Sequence, residues 1–191
     1  MTKNILSLIL ILFGIGSLTS KTFAQAKDSR GYYLVESEKF TPPEKEVIAS
    51  FQDKKAENFL AADLKGVERT LNDYKGKPTL LVFGELGNEK LINALKSTYT
   101  NNKGGFYIVF MAAESRNNLL QNGVSADNFP FTIIPEGSIF GEMAYAGSLG
   151  LPRIFGIDSE GIIKRIIPSS IVSEYTILAE VIEETYTLLN Q

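Results

Sequence analysis

The 191-residue chain contains no cysteine and no histidine. Without a thiol there is no disulfide, no thiolate nucleophile and no sulfur ligand for a metal. Without an imidazole there is no Ser-His-Asp hydrolase and no histidine acid–base step. A zinc site of the Cys/His kind cannot be assembled. The chain also lacks an excess of positive charge. It has 19 basic and 22 acidic residues, a formal charge of −3, which argues against nucleic acid as a partner. No internal repeat and no compositionally biased segment is present. What remains is a chain that is 44% hydrophobic, enough for one ordinary domain with its own core.

Residues 1–26 read as an export signal. Lys3 supplies a positive start, and ILSLILILFGIGSL is an apolar run too short for a comfortable membrane span. Ala24-Gln25-Ala26 matches a small-residue cleavage site, cut after Ala24 or Ala26. An uncleaved N-terminal anchor is the competing reading of the same run. No cysteine follows it, so it is not a lipoprotein signal. Cleavage would remove Lys3 and Lys21 and no acid, which leaves 17 basic and 22 acidic residues and a net charge of −5. The expectation is an exported, mildly acidic protein, periplasmic or extracellular, with no stable membrane span once the signal is gone.

Residues 27–56 read as a leader of one strand and one helix. Gly31-Tyr32-Tyr33-Leu34-Val35 has strand character, and the tyrosine pair is assigned to its packing. Thr41-Pro42-Pro43-Glu44 opens the helix, with Thr41 as N-cap, Pro42 at N1 and Glu44 closing a capping box. Val47, Ile48 and Phe51 form its apolar face.

The main domain occupies residues 57–191. Asn58–Ala62 and Val67–Leu71 read as a hairpin around Asp63-Leu64-Lys65-Gly66, followed by a polar loop over residues 72–77. Thr79–Phe83 is a continuous apolar run, the signature of a central strand buried on both faces. Asn88 caps the next helix, with Leu91, Ile92, Leu95 and Tyr99 on one face. Phe106–Met111 is a second buried strand, so the two strands should run parallel. Short elements are expected over 115–122, 131–134 and 138–145. Two runs, 152–157 and 162–167, flank Asp158-Ser159-Glu160-Gly161 as a second hairpin. A final helix from about Val172 to Leu189 carries Tyr175, Leu178, Ile182 and Leu189 as its stripe. This order gives an α/β fold, a mixed sheet flanked by helices.

Several strings in this order resemble the thioredoxin superfamily, in particular its exported thiol–disulfide oxidoreductases, including those that serve cytochrome c maturation. Asn58-Phe59 through Gly66 is similar to the family's "DF-x-L-x-D-x-x-G" hairpin. Leu71–Pro78 is similar to its "L-x-D-Y-K-G-K" loop. Leu81-Val82-Phe83 matches the strand that leads to the active site. Gly150-Leu151-Pro152, with Phe155, Ile157, Asp158 and Gly161, resembles "G-x-P-x-x-F-x-I-D-x-x-G". The resemblance covers residues 57–167 and implies a thioredoxin-like fold with an N-terminal hairpin.

In that family the strand runs into a Cys-x-x-Cys pair. Laid on this chain without gaps, the cysteines fall on Asn88 and Leu91, and the family's tryptophans fall on Gly84 and Gly87. The cysteine of the peroxiredoxin branch is absent as well. The resemblance therefore implies a scaffold without its redox chemistry. No catalytic residue, cofactor or metal site is assigned.

The candidate binding positions are those of the former active site: Gly84, Glu85, Gly87, Asn88, Glu89, Leu91, Leu151 and Pro152. Asn88 is either a helix cap or a ligand contact. Glu85 and Glu89 are either solvated surface acids or a carboxylate pair for acid–base work or calcium. The resemblance implies a cis proline at Pro152 and main-chain pairing of Leu151 with bound peptide. Glu114, Asp127 and Glu136 read as scattered loop acids without a function. Three readings follow: a redox-inactive module that binds an unidentified peptide or envelope protein, an accessory subunit docking through residues 27–56, or a non-thiol enzyme using Glu85 or Glu89.

Overall fold

The computed structural model describes residues 40–172 and 178–190. The run read as an export signal, the expected strand over 31–35 and Tyr175 lie outside the described residues. Helix α1 spans Pro42–Phe51, and both halves of its capping box are formed. The Glu44 carboxylate accepts from the Thr41 main chain at 2.7 Å and from the Ser170 hydroxyl at 3.0 Å. Burial pushes its pKa up, but these hydrogen bonds outweigh burial and hold it below the usual carboxylate value. The helix docks on the domain through buried Ile48 and through Phe51, which packs edge-on to Phe155 at 6.0 Å. Past its end, the Asp53 amide donates to the Ile163 carbonyl at 2.8 Å.

Strands β1 (Leu60–Ala62) and β2 (Glu68–Thr70) form the expected hairpin, trimmed to three antiparallel pairs. The loop after it is more ordered than its polar composition implies. Leu71–Tyr74 is a 3-10 turn, whose i, i+3 spacing buries Leu71 and Tyr74 on one side. The Asp73 carboxylate accepts from the Thr70 amide at 2.7 Å and fixes the start of that turn.

The main sheet contains β3 (Thr79–Gly84), β4 (Tyr107–Ala112), β5 (Thr132–Ile134), β6 (Arg153–Ile157) and β7 (Ile163–Ile167). Their order is β5-β4-β3-β6-β7. β3 pairs parallel to β4 in the register Thr79 with Tyr107 through Gly84 with Ala112, as a strand–helix–strand unit requires. β4 pairs parallel to β5, whereas β6 runs antiparallel to both β3 and β7. All six residues of β3 are buried, which is why the run shows no polar alternation.

Helices cover both faces. α2 (Glu89–Asn101) and α6 (Leu178–Leu189) lie together on one side, where the Phe106 and Tyr186 rings meet at 4.9 Å with a tilt of 45° and Asn102 bonds to the Glu183 carboxylate. Leu178, Ile182 and Leu189 of the expected stripe are buried, and so are Val181 and Thr185 between them. α1 and α4 (Gly137–Ala144) cover the other side. α4 reaches the sheet closely because of its glycines. A Cβ on Gly141 would stand 2.4 Å from the Phe83 ring. α3 (Arg116–Gln121) and the four-residue α5 (Ser169–Val172) complete the layers. Val172, the expected start of the final helix, is helical and is the last described residue before Leu178.

Candidate functional site

The strand–helix junction singled out in the sequence is at the C-terminal end of β3. Gly84, the last residue of that strand, is buried. A Cβ placed on it would meet Pro152 Cβ at 3.2 Å, Phe110 at 3.5 Å and Leu91 at 3.6 Å. Leu91 has no exposed surface. Gly84, Leu91 and Pro152 therefore form one packed cluster, and the position aligned with a second cysteine belongs to the core.

The turn beyond Gly84 faces solvent. Glu85, Gly87 and Glu89 are exposed, and a Cβ on Gly87 would meet nothing within 4 Å. Asn88 is half-buried and acts as the N-cap of α2, its side-chain oxygen accepting from the Leu91 amide at 3.1 Å. The Asn88 amide donates to the Glu85 carbonyl at 3.1 Å, which closes the turn.

Sequence reasoning missed the group that holds this turn. The Glu114 carboxylate accepts from the Leu86 amide at 2.8 Å, across a separation of 28 residues. Its second oxygen is buried and has no hydrogen-bond partner among the described residues. The signal was in the strand pairing. Gly84 lies opposite Ala112, and the Ala113 amide continues the ladder to the Gly84 carbonyl at 2.9 Å. Two residues past each partner, Leu86 and Glu114 come together. Asp127, also assigned no role from sequence, pairs with Lys65 at 2.7 Å on the surface.

The wall of the site comes from residues 150–153. The Leu151–Pro152 peptide bond is cis, and Leu151 is 38% exposed. Arg153, the first residue of β6, has no exposed surface, and its guanidinium lies over the Phe83 ring at 4.9 Å. It donates to the Tyr145 carbonyl at 2.9 Å and to the Gly150 carbonyl at 2.8 Å, and it reaches the Glu142 carboxylate at 3.4 Å. Burial lowers the guanidinium pKa while Glu142 opposes that shift. The residue after Pro152 thus anchors the loop before it, with main-chain carbonyls as its best-formed partners.

Chemically, this junction offers one exposed leucine and two solvent-facing carboxylates. No cysteine, histidine, serine or threonine lies in residues 84–91 or 150–153. Among the described residues no cluster of three or more Asp or Glu side chains is placed to ligate a metal.

No protein-family model matches the chain, and no curated protein matches it. Solved structures do. A thiol:disulfide interchange protein of the thioredoxin family from Chlorobium tepidum aligns with a TM-score of 0.55 at 17% identity, over 72% of this chain and 97% of that one. The thioredoxin domain of a thiol-disulfide oxidoreductase from Bacteroides vulgatus gives 0.53 at 23% identity, over 70% and 96%. A secreted disulfide oxidoreductase from Mycobacterium tuberculosis gives 0.52 at 19% identity, over 69% and 96%. The fold of this chain is thioredoxin-like, and it is a version of that fold with no cysteine anywhere in the sequence.

Proposed function

We propose that this chain is an exported, redox-inactive thioredoxin-like module that binds an extended peptide segment beside Leu151 and Pro152. One observation carries the reading. The main chain of Leu151 makes no hydrogen bond among the described residues, although Gly150 before it is hydrogen-bonded through both its amide and its carbonyl. An unpaired amide and carbonyl on a fixed, half-open rim is what strand addition uses, and such pairing needs no particular side chain. Apolar surface supports it: Leu151 is exposed, and α4, the helix packed on Phe83, leaves Ile139 at 62% and Met143 at 80% exposure. The export component rests on the N-terminal apolar run and on likeness to a protein described as secreted.

The test is capture from native envelope extract, using the protein beside a Leu151→Asp, Asn88→Arg double variant shown to be folded. A partner lost only from the variant supports the reading. A partner retained by both, or none with either, overturns it. The same experiment bears on docking through residues 27–56, because α1 already turns Ile48 and Phe51 into the domain and has little apolar face left to offer.

A further inference from the structure

A second site lies at the opposite end of the sheet, where β4 and β5 begin. A groove of about 400 Å³ opens there between the hairpin turn, the start of β4 and the loop before β5. That is within the size range of small-molecule sites, roughly 300–1,000 Å³. Its walls are rings and aliphatic groups, chiefly Tyr99, Tyr107, Phe129 and Phe131. Its polar groups are mostly cationic or donors. Arg69 and Lys65 line it, Lys96 stands over the Phe129 ring at 4.5 Å, and Lys77 stands over the Tyr107 ring at 5.4 Å. Four cations around one groove is unexpected on a chain whose net charge is −3.

The acids nearby are already engaged. Asp63 is 4% exposed and accepts from the Val67 amide at 2.9 Å and from Arg69 Nε at 3.0 Å. Asp127 is paired to Lys65, and Asp73 holds the Thr70 amide. Asp63 therefore fixes Arg69 by Nε alone. No hydrogen bond to the two terminal nitrogens of Arg69 exists among the described residues, and Arg69 is part-exposed. A guanidinium steered in this way presents its fork to an oxyanion. Behind the groove wall, the buried Tyr74 ring packs edge-on to Tyr107 at 5.4 Å and fixes it in place.

We propose that this groove binds a small organic anion, a carboxylate or phosphate carried on an apolar body, with the Arg69 fork on the anion and Tyr107 and Phe129 against the body. The site is independent of the peptide-binding reading, since it lies at the other end of β4.

The experiment is chemical-shift titration of the nitrogen-labelled full chain with phenyl phosphate and with benzoate. Inorganic phosphate and neutral benzyl alcohol serve as controls. Saturable shifts at Lys65, Tyr107 and Thr132 with either anion are expected, and the tighter of the two identifies the headgroup. Arg69→Gln should weaken binding by about tenfold or more, as loss of a charge-assisted hydrogen-bonded pair does. Because that variant also strips Asp63 of its partner, Lys96→Gln is measured beside it. It breaks no side-chain hydrogen bond among the described residues and should weaken binding about two- to threefold through lost local charge. Absence of saturable shifts overturns the proposal. So does binding that benzyl alcohol or inorganic phosphate matches, or binding that neither variant weakens.

Discussion

Gly84 and Pro152 meet so closely that a single added carbon on Gly84 would stand 3.2 Å from the proline Cβ. The contact joins the end of the central strand to the loop before β6, and it leaves no room for the tryptophan that the family places there. Gly87, the other position aligned with a tryptophan, has open space around it. The two glycines should respond oppositely. Gly84→Ala should destabilise the fold by about 1–3 kcal/mol through overpacking. Gly87→Ala should stay within about 0.5 kcal/mol. Denaturant melts of the two variants make the comparison, and equal losses would show that the cluster is softer than its geometry.

Most of this fold was legible because its strands are buried on both faces and its helices carry caps. The Thr79–Phe83 run, the Asn88 cap, the Thr41 capping box and the Asp158–Gly161 turn each follow from a local rule. What was not legible depends on distant pairing. The contact between Glu114 and Leu86 needs the register of two parallel strands, which composition cannot supply. The buried Arg153 looks in sequence like an ordinary polar strand residue, and only the fold brings the Tyr145 and Gly150 carbonyls to it. The groove beside Arg69 joins residues from the hairpin, β4 and the loop before β5.

Arg153 allows its partners to be ranked. Glu142 is 55% exposed and 3.4 Å away, whereas the two carbonyls are close and the guanidinium is fully buried. Glu142→Gln should therefore cost no more than about 1 kcal/mol, as for a solvent-screened pair. Arg153→Ala should cost about 3–5 kcal/mol, since it empties a buried site and strands both carbonyls. Thermal melts check both. A large loss in Glu142→Gln would mean that the ion pair holds the loop.

Glu114 should matter to the site without touching a ligand. Removing its carboxylate in Glu114→Ala deprives the Leu86 amide of a charged acceptor, a loss of about 1.5–3 kcal/mol. Glu114→Gln keeps a side-chain carbonyl and should lose less. Hydrogen exchange at Leu86 separates a local effect from a global one. It should speed up in Glu114→Ala while exchange in the middle of β3, at Leu81 and Val82, changes only with global stability.

Acid should loosen the hairpin through Asp63. Burial raises the pKa of this carboxyl, but the Val67 amide and Arg69 outweigh burial and hold it below the usual aspartate value. A carboxyl whose folded pKa is depressed contributes stability that is fully present above its unfolded pKa of about 3.9 and is lost as pH falls through the folded value. Glu44 contributes with the same sign at the start of α1. Stability should therefore decline as pH drops below about 4 and continue to decline below that. Asp63→Asn should be less stable at neutral pH and should show a shallower acid slope, because one of the groups that bind protons on unfolding is gone. Denaturant midpoints measured from neutral pH down to about 3 test this. Parallel curves for the protein and Asp63→Asn would show that the Asp63–Arg69 contact, 3.0 Å in length, stabilises the hairpin no more when Asp63 is charged than when it is neutral.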